Sequence, residues 1–324
     1  MTHPVAFHRR ALLTGAGALG AAALAAGAPA PVRAAQPAAE GPSPFVRKMP
    51  LGAYEVWTVL DGAAVRPDPH TIFGANQPPE TVAALLTENF LPADAALFTF
   101  TPTLVNTGSE LILFDAGNAP GGRPAVGNLR DRLAAAGVAP EAVDVVVLTH
   151  MHPDHIGGLV IDGAPAFPNA RYVTGATEYD FWKDKTEGPM ARVGSLVASN
   201  VTPFLERTTL IAPGDAVASG IEAVAAFGHT PGHMVYHVES EGARLMITAD
   251  TANHYVLSLQ RPDWEVVFDG DKAAAAATRK EIFGMIAADR IPFVGYHMPS
   301  PAVGYVEPMG EGFRFVPATY QFEV

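Results

Sequence analysis

Four separate apolar runs in this chain end on a histidine or an aspartate, and that recurrence constrains the fold more than any other feature. Val145-Val146-Val147-Leu148 leads into His150, His152, Asp154 and His155. Ala223 to Phe227 leads to His229, Leu245 to Ala249 leads to Asp250, and Ile291 to Tyr296 leads to His297. Short apolar runs bounded by turn residues read as buried strands. Imidazoles and carboxylates cost free energy to desolvate, so crowding them at strand ends is unfavourable unless something gives each a partner. A divalent cation does so. In open α/β architectures sites gather at one end of the strands, so the pattern predicts one shared site.

The rest of the chain alternates strands and helices. Ala53–Leu60 is expected as a strand closed by Asp61-Gly62, and 65–79, with four prolines, as a loop. Glu80–Phe90 has helical spacing. Leu97–Asn106 and Glu110–Phe114 are expected as strands joined through Thr107-Gly108-Ser109. A helix over Leu129–Ala136 and the strand Val143–Leu148 follow. The second half repeats the alternation, with strands at Arg171–Thr174, Leu210–Ala212, Ile221–Phe227, Met234–Glu239, Ala243–Thr248 and Ile291–Tyr296. Helices are expected at Ala176–Lys183 and over the alanine-rich Lys272–Asp289. Grouped strands interleaved with helices point to an α/β sandwich with helices outside.

Composition narrows the chemistry. The chain has no cysteine, which excludes disulfides, thiolate ligands and a cysteine nucleophile. Any metal must be held by nitrogen and oxygen. That donor set suits zinc and is compatible with manganese, cobalt or iron. Formal net charge is −12. The first 34 residues hold Arg9, Arg10 and Arg33 and no acid, leaving 18 basic against 33 acidic residues in the remainder. Such a surface repels phosphodiester backbones, so nucleic acid is not an expected partner.

Arg9-Arg10 precede a mildly apolar Ala/Gly-rich stretch and small residues around Pro31–Ala35. Residues 1–34 therefore resemble a twin-arginine signal, and 35–324 are expected to form the exported domain. This implies a periplasmic or secreted protein with no stable membrane insertion after cleavage.

Thr149-His150-Met151-His152-Pro153-Asp154-His155-Ile156-Gly157-Gly158 resembles the signature loop of the metallo-β-lactamase superfamily. Gly228-His229-Thr230-Pro231-Gly232-His233 and Thr248-Ala249-Asp250 resemble its next two motifs. Tyr296-His297-Met298-Pro299-Ser300-Pro301 and Gly312–Pro317 are similar to the methyl parathion hydrolase branch, as are Ala166–Ala170 and Asp180-Phe181-Trp182. The resemblance implies an αββα four-layer sandwich holding two divalent ions. His150, His152 and His229 would take one ion, Asp154, His155 and His297 the other, and Asp250 would bridge them. Asp115, after Leu113-Phe114, would orient a ligand histidine through its distal nitrogen. His233 follows His229 by four residues, but Thr230-Pro231-Gly232 breaks helical spacing, so hydrogen bonding or packing is expected of it. His70, His237 and His254 carry no motif.

Two close cations acidify a shared water and leave a hydroxide as nucleophile. Asp154 and Asp250 are then the carboxylates that matter to catalysis, and neither a cysteine nor a Gly-x-Ser-x-Gly elbow is needed. The resemblance implies a small-molecule lactone, aryl ester or phosphotriester as substrate, and a homodimer. Trp182, Phe73 and Tyr305 are candidate pocket walls. Ser300–Tyr305 departs from the branch, placing serine and tyrosine where relatives show phenylalanine and histidine. A β-lactamase of the commonest group would carry a ligand cysteine at Asp250, and a nuclease would need a basic groove. A mononuclear iron persulfide dioxygenase is the alternative from another reaction class, and a binding module without catalysis would not need the full ligand set.

Overall fold

The computed structural model describes residues 43–318. The signal expected over 1–34 lies outside the described residues. Two seven-stranded sheets form the centre. The first runs in the order Val46–Leu51, Tyr54–Val59, Thr103–Asn106, Leu111–Phe114, Val145–Leu148, Arg171–Gly175, Thr208–Ile211. Its first three pairings are antiparallel and its last three parallel. The second follows chain order from Ala216–Ala218 through Ile221–Ala225, Met234–Ser240, Ala243–Ala249, Phe293–Gly295 and Val303–Met309 to Gly312–Pro317. It is antiparallel except where Ala243–Ala249 pairs with Phe293–Gly295.

The period of two along a strand explains the layering. Val145 and Val147 join Ile112, Val173, Val235 and Ile247 in the core between the sheets. Val146 and Leu148 point the other way, into a cluster with Leu129 and Leu133 from the helix Leu129–Ala135 and Val197 from Ala191–Asn200. On the far side, Ile282, Phe283 and Ile286 of the helix Lys272–Asp289 pack against the second sheet. That helix starts where the Asp271 side chain accepts from the Ala274 N–H, the usual N-cap bond. Helices thus cover both outer faces of the two sheets, the αββα sandwich the sequence implied.

Several expectations need correction. Val65–Pro67, read as loop, belongs to a strand, Gly62–Pro67, paired with Ala95–Phe100. The pair makes a separate two-stranded ribbon whose Val65 and Leu97 are exposed, and proline is tolerated at the end of such an edge. The run Leu97–Asn106 is not one strand. It breaks at Thr101-Pro102, because proline has no N–H for a ladder, and its halves join different sheets. The helix Ala191–Asn200 and the hairpin strands Val303–Met309 and Gly312–Pro317 were not read as elements at all.

Candidate metal centre

The strands Leu111–Phe114 and Val145–Leu148 are parallel, and so are Ala243–Ala249 and Phe293–Gly295. Ile221–Ala225 shares the latter direction through two antiparallel pairings. Asp115, His150, His229, Asp250 and His297 therefore leave their strands together. Asp115 and Ala249 both have positive φ, 64° and 42°. For non-glycine residues this is a strained region, and such strain gathers at functional sites.

Seven side chains converge. Donor atoms of His150, His152, His229 and Asp250 lie within 4.8 Å of one another, as do those of Asp154, His155, Asp250 and His297. Asp250 belongs to both groups. Its Oδ2 is 3.3 Å from His229 Nε2 and 3.1 Å from His297 Nε2, and its Oδ1 is 3.2 Å from His155 Nε2. The rings are aimed from behind. His155 Nδ1 donates to Asp115 Oδ2 at 2.8 Å, and Asp115 itself accepts from the Thr149 N–H and hydroxyl. His297 Nδ1 donates to the Thr99 carbonyl at 2.8 Å, and His229 Nδ1 to Asp269 Oδ1 at 2.9 Å. Each bond fixes the tautomer that leaves Nε2 facing the centre.

The centre is electrostatically unbalanced. Burial pushes the His150 imidazole well below its usual range, and the neighbouring His155 pushes it further. His152 falls to about 3 for the same two kinds of reason, burial and His229. Burial also opposes a charge on His229, yet its hydrogen bonds to Asp250 and Asp269 lift it to about 9. Burial would raise Asp154, but His155 and His297 hold it at about 2. His150 Nε2, His155 Nε2 and Asp250 Oδ1 are buried without a hydrogen-bond partner. The last two approach to 3.2 Å without forming a hydrogen bond. Buried polar atoms are almost always paired, so orphans at the meeting point of seven N/O donors fit divalent cations.

His233 stands apart from this set. Its Nδ1 donates to the Ala226 carbonyl and its Nε2 accepts from the Asp250 N–H, so it holds the Asp250 backbone as a neutral ring. Burial keeps its pKa at about 3. His254 accepts from the Val256 and Leu257 N–H groups. Trp182 is buried, with its ring 6.2 Å from His152 and its Nε1 donating to Glu178. Phe73 is also buried and stacks on Phe98, which in turn meets His297. Tyr305 lies on the strand Val303–Met309 opposite Val316.

Three contributors escaped the sequence reading. Asp269, Arg279 and Glu178 sit in no motif and follow no apolar run that the sequence singled out. In the structure all three are buried. Arg279 donates to Asp269 Oδ2 at 2.9 Å and to the Thr251 and Pro262 carbonyls. Nothing in the local pattern announces them, because their partners are brought near only by the fold.

No curated protein sequence matches the chain. Among solved structures, AidC, a dizinc quorum-quenching lactonase in complex with the product N-hexanoyl-L-homoserine, is 25% identical with a TM-score of 0.80. The match covers 85% of this chain and 98% of that one. AbOPH, a hydrolase of the β-lactamase superfamily, is 24% identical with a TM-score of 0.80, covering 86% and 99%. A quorum-quenching N-acyl homoserine lactone lactonase at 17% identity has a TM-score of 0.57, covering 78% and 94%. The last two are likenesses of fold alone. The family model of the metallo-β-lactamase superfamily matches residues 101–292, a span that holds all the donors but His297. The chain belongs to the metallo-β-lactamase superfamily.

Proposed function

We propose that the protein is a dinuclear metal-dependent hydrolase acting on a lactone. The observation that carries this reading is the pair of four-donor groups sharing Asp250, with three orphaned atoms between them. His150, His152 and His229 would hold one divalent ion, Asp154, His155 and His297 the other, and Asp250 both. Bound there, two cations acidify water and polarise an ester carbonyl. Zinc is the proposed metal, because nitrogen and carboxylate donors suit it.

The chain's own groups supply the rest. The Asp154 side chain is 21% exposed against 4% for Asp250. With a pKa of about 2 it is ionised at neutral pH. It is therefore placed to take a proton from attacking water and return it to the departing alkoxide. Phe98 and Phe100 stand edge-on to His297 at 5.6 and 5.4 Å and keep that side dry. Phe98 also meets the exposed Phe268, next to the exposed Val267 and the His229 partner Asp269. This apolar rim suits an acyl chain, which favours an N-acyl lactone over a small polar ester.

The methyl parathion hydrolase-like placement, aryl ester or phosphotriester turnover, a homodimer and export through the paired arginines belong to the same reading as subsidiary proposals. Metal analysis of purified protein beside a panel of acyl homoserine lactones, aryl acetates, a phosphotriester and a β-lactam tests it. Two equivalents of zinc and a clear preference for lactones are expected. One iron per chain with no hydrolysis of any panel member would overturn it in favour of an oxygenase.

A further inference from the structure

Glu178 is fully buried in the helix Ala176–Trp182, and every hydrogen bond its carboxylate makes is accepted from a donor. Oε1 takes the Met151 N–H at 2.9 Å and the Trp182 indole N–H at 2.8 Å. Oε2 takes the Thr230 hydroxyl at 2.7 Å and the Gly232 N–H at 2.9 Å. Met151 lies between His150 and His152, and Thr230 directly follows His229. One carboxylate thus ties together two loops that come from different sheets and supply all three histidines of one donor group. The fit is close. A Cβ added at Gly232 would come within 2.2 Å of the Glu178 backbone nitrogen, so the His229 loop has no slack against this helix.

We infer that Glu178 is the positioning residue that sets the spacing between the His150–His152 loop and the His229 loop, and so tunes one of the two metal positions selectively. The inference rests on reading the donor groups as metal positions. Selectivity follows from the bonding. Glu178 has no bond to Asp154, His155 or His297, and the rings of the two histidines are held instead by Asp115 and Thr99. Burial raises the Glu178 pKa while its four donors lower it. Protonation would remove an acceptor site that a neighbour already uses, so the clamp works as the carboxylate.

Glu178→Gln separates this role from packing. Glutamine fills the same volume but turns one oxygen into an NH2 group that must face N–H or O–H donors. A residue that merely fills space would tolerate the exchange. Wild-type and Glu178→Gln proteins, stripped with chelator and titrated with Zn2+ by calorimetry, should differ in one site. The wild type takes two equivalents, whereas the variant keeps one equivalent at wild-type affinity and binds the other at least tenfold more weakly. Two unaltered equivalents in the variant, or equal weakening of both, would overturn the inference. A wild type that binds no Zn2+ would instead overturn the metal reading itself. If the glutamine protein does not fold, Thr230→Val removes one of the four donors at constant shape. It should weaken the same single equivalent by a smaller factor, and no change there counts against the clamp.

Discussion

Two buried aspartates do the same job from opposite sides of the centre. Asp115 receives His155 Nδ1 and is itself pinned by Thr149, while Asp269 receives His229 Nδ1 and is pinned by Arg279. Groups that orient a metal-binding imidazole are worth about 10–100-fold in metal affinity. Asp115→Ala should therefore weaken Zn2+ binding by about that factor at the position His155 serves, as read by competition with a chromophoric chelator. Unchanged affinity would show that His155 needs no such support. The Asp269–Arg279 pair carries an added cost, since both side chains are 1% exposed. Asp269→Ala leaves the guanidinium buried and unpaired, which costs about 3–5 kcal/mol. A chemical denaturation midpoint that moves by less than 1 kcal/mol equivalent, on the order of a surface change, would contradict the burial of that pair. These residues also mark the limit of what the sequence discloses. The seven converging donors were readable because each follows an apolar run or sits in one compact loop. Asp269, Arg279 and Glu178 were not, since each acquires its partner only when distant segments meet.

At the scale of elements, the strands that carry the site were legible for a plain reason. Val145–Leu148, Phe293–Gly295 and most of Ala243–Ala249 are buried on both faces and read as continuous apolar runs, whereas Ile221–Ala225 alternates, with Glu222 and Ala225 exposed. The ribbon of Gly62–Pro67 with Ala95–Phe100 was obscured because it is half exposed and proline-flanked. The hairpin Val303–Met309 with Gly312–Pro317 was hidden by Pro308 and by charges on its open face. How these elements meet is set by a few points with no room. Gly158 follows the histidine loop, and a Cβ there would come within 2.1 Å of the Ala116 carbonyl oxygen, next to Asp115. Gly158→Ala must push the two loops apart, which costs about 1–3 kcal/mol as overpacking does. Because the displaced loop carries Asp115, the substitution should lower both the urea midpoint and Zn2+ affinity. Lost stability with full metal affinity would mean that the loop yields without moving Asp115.

Over the whole molecule, two sheets contribute to one centre, and neither sheet alone holds a complete donor group. His150, His152, Asp154 and His155 follow the first sheet, while His229, Asp250 and His297 follow the second. A bound cation therefore clamps the two halves of the sandwich, and binding to the folded state alone stabilises it. At a free metal concentration of 100 times Kd the gain is about 2.7 kcal/mol per site. The same clamp is linked to protons. His229 has a pKa of about 9 without metal, raised against burial by Asp250 and Asp269. It is protonated at pH 7.5 and must lose that proton to offer Nε2 to a cation. Zn2+ binding should then release protons at pH 7.5, and affinity should fall further as pH drops, since more of the apoprotein is protonated. Calorimetric titration in buffers of different ionisation enthalpy reads the release directly. Zero proton release at pH 7.5, with affinity flat between pH 6.5 and 8.5, would mean that His229 is already neutral in the apoprotein. The Asp250 and Asp269 hydrogen bonds would then not be setting its charge.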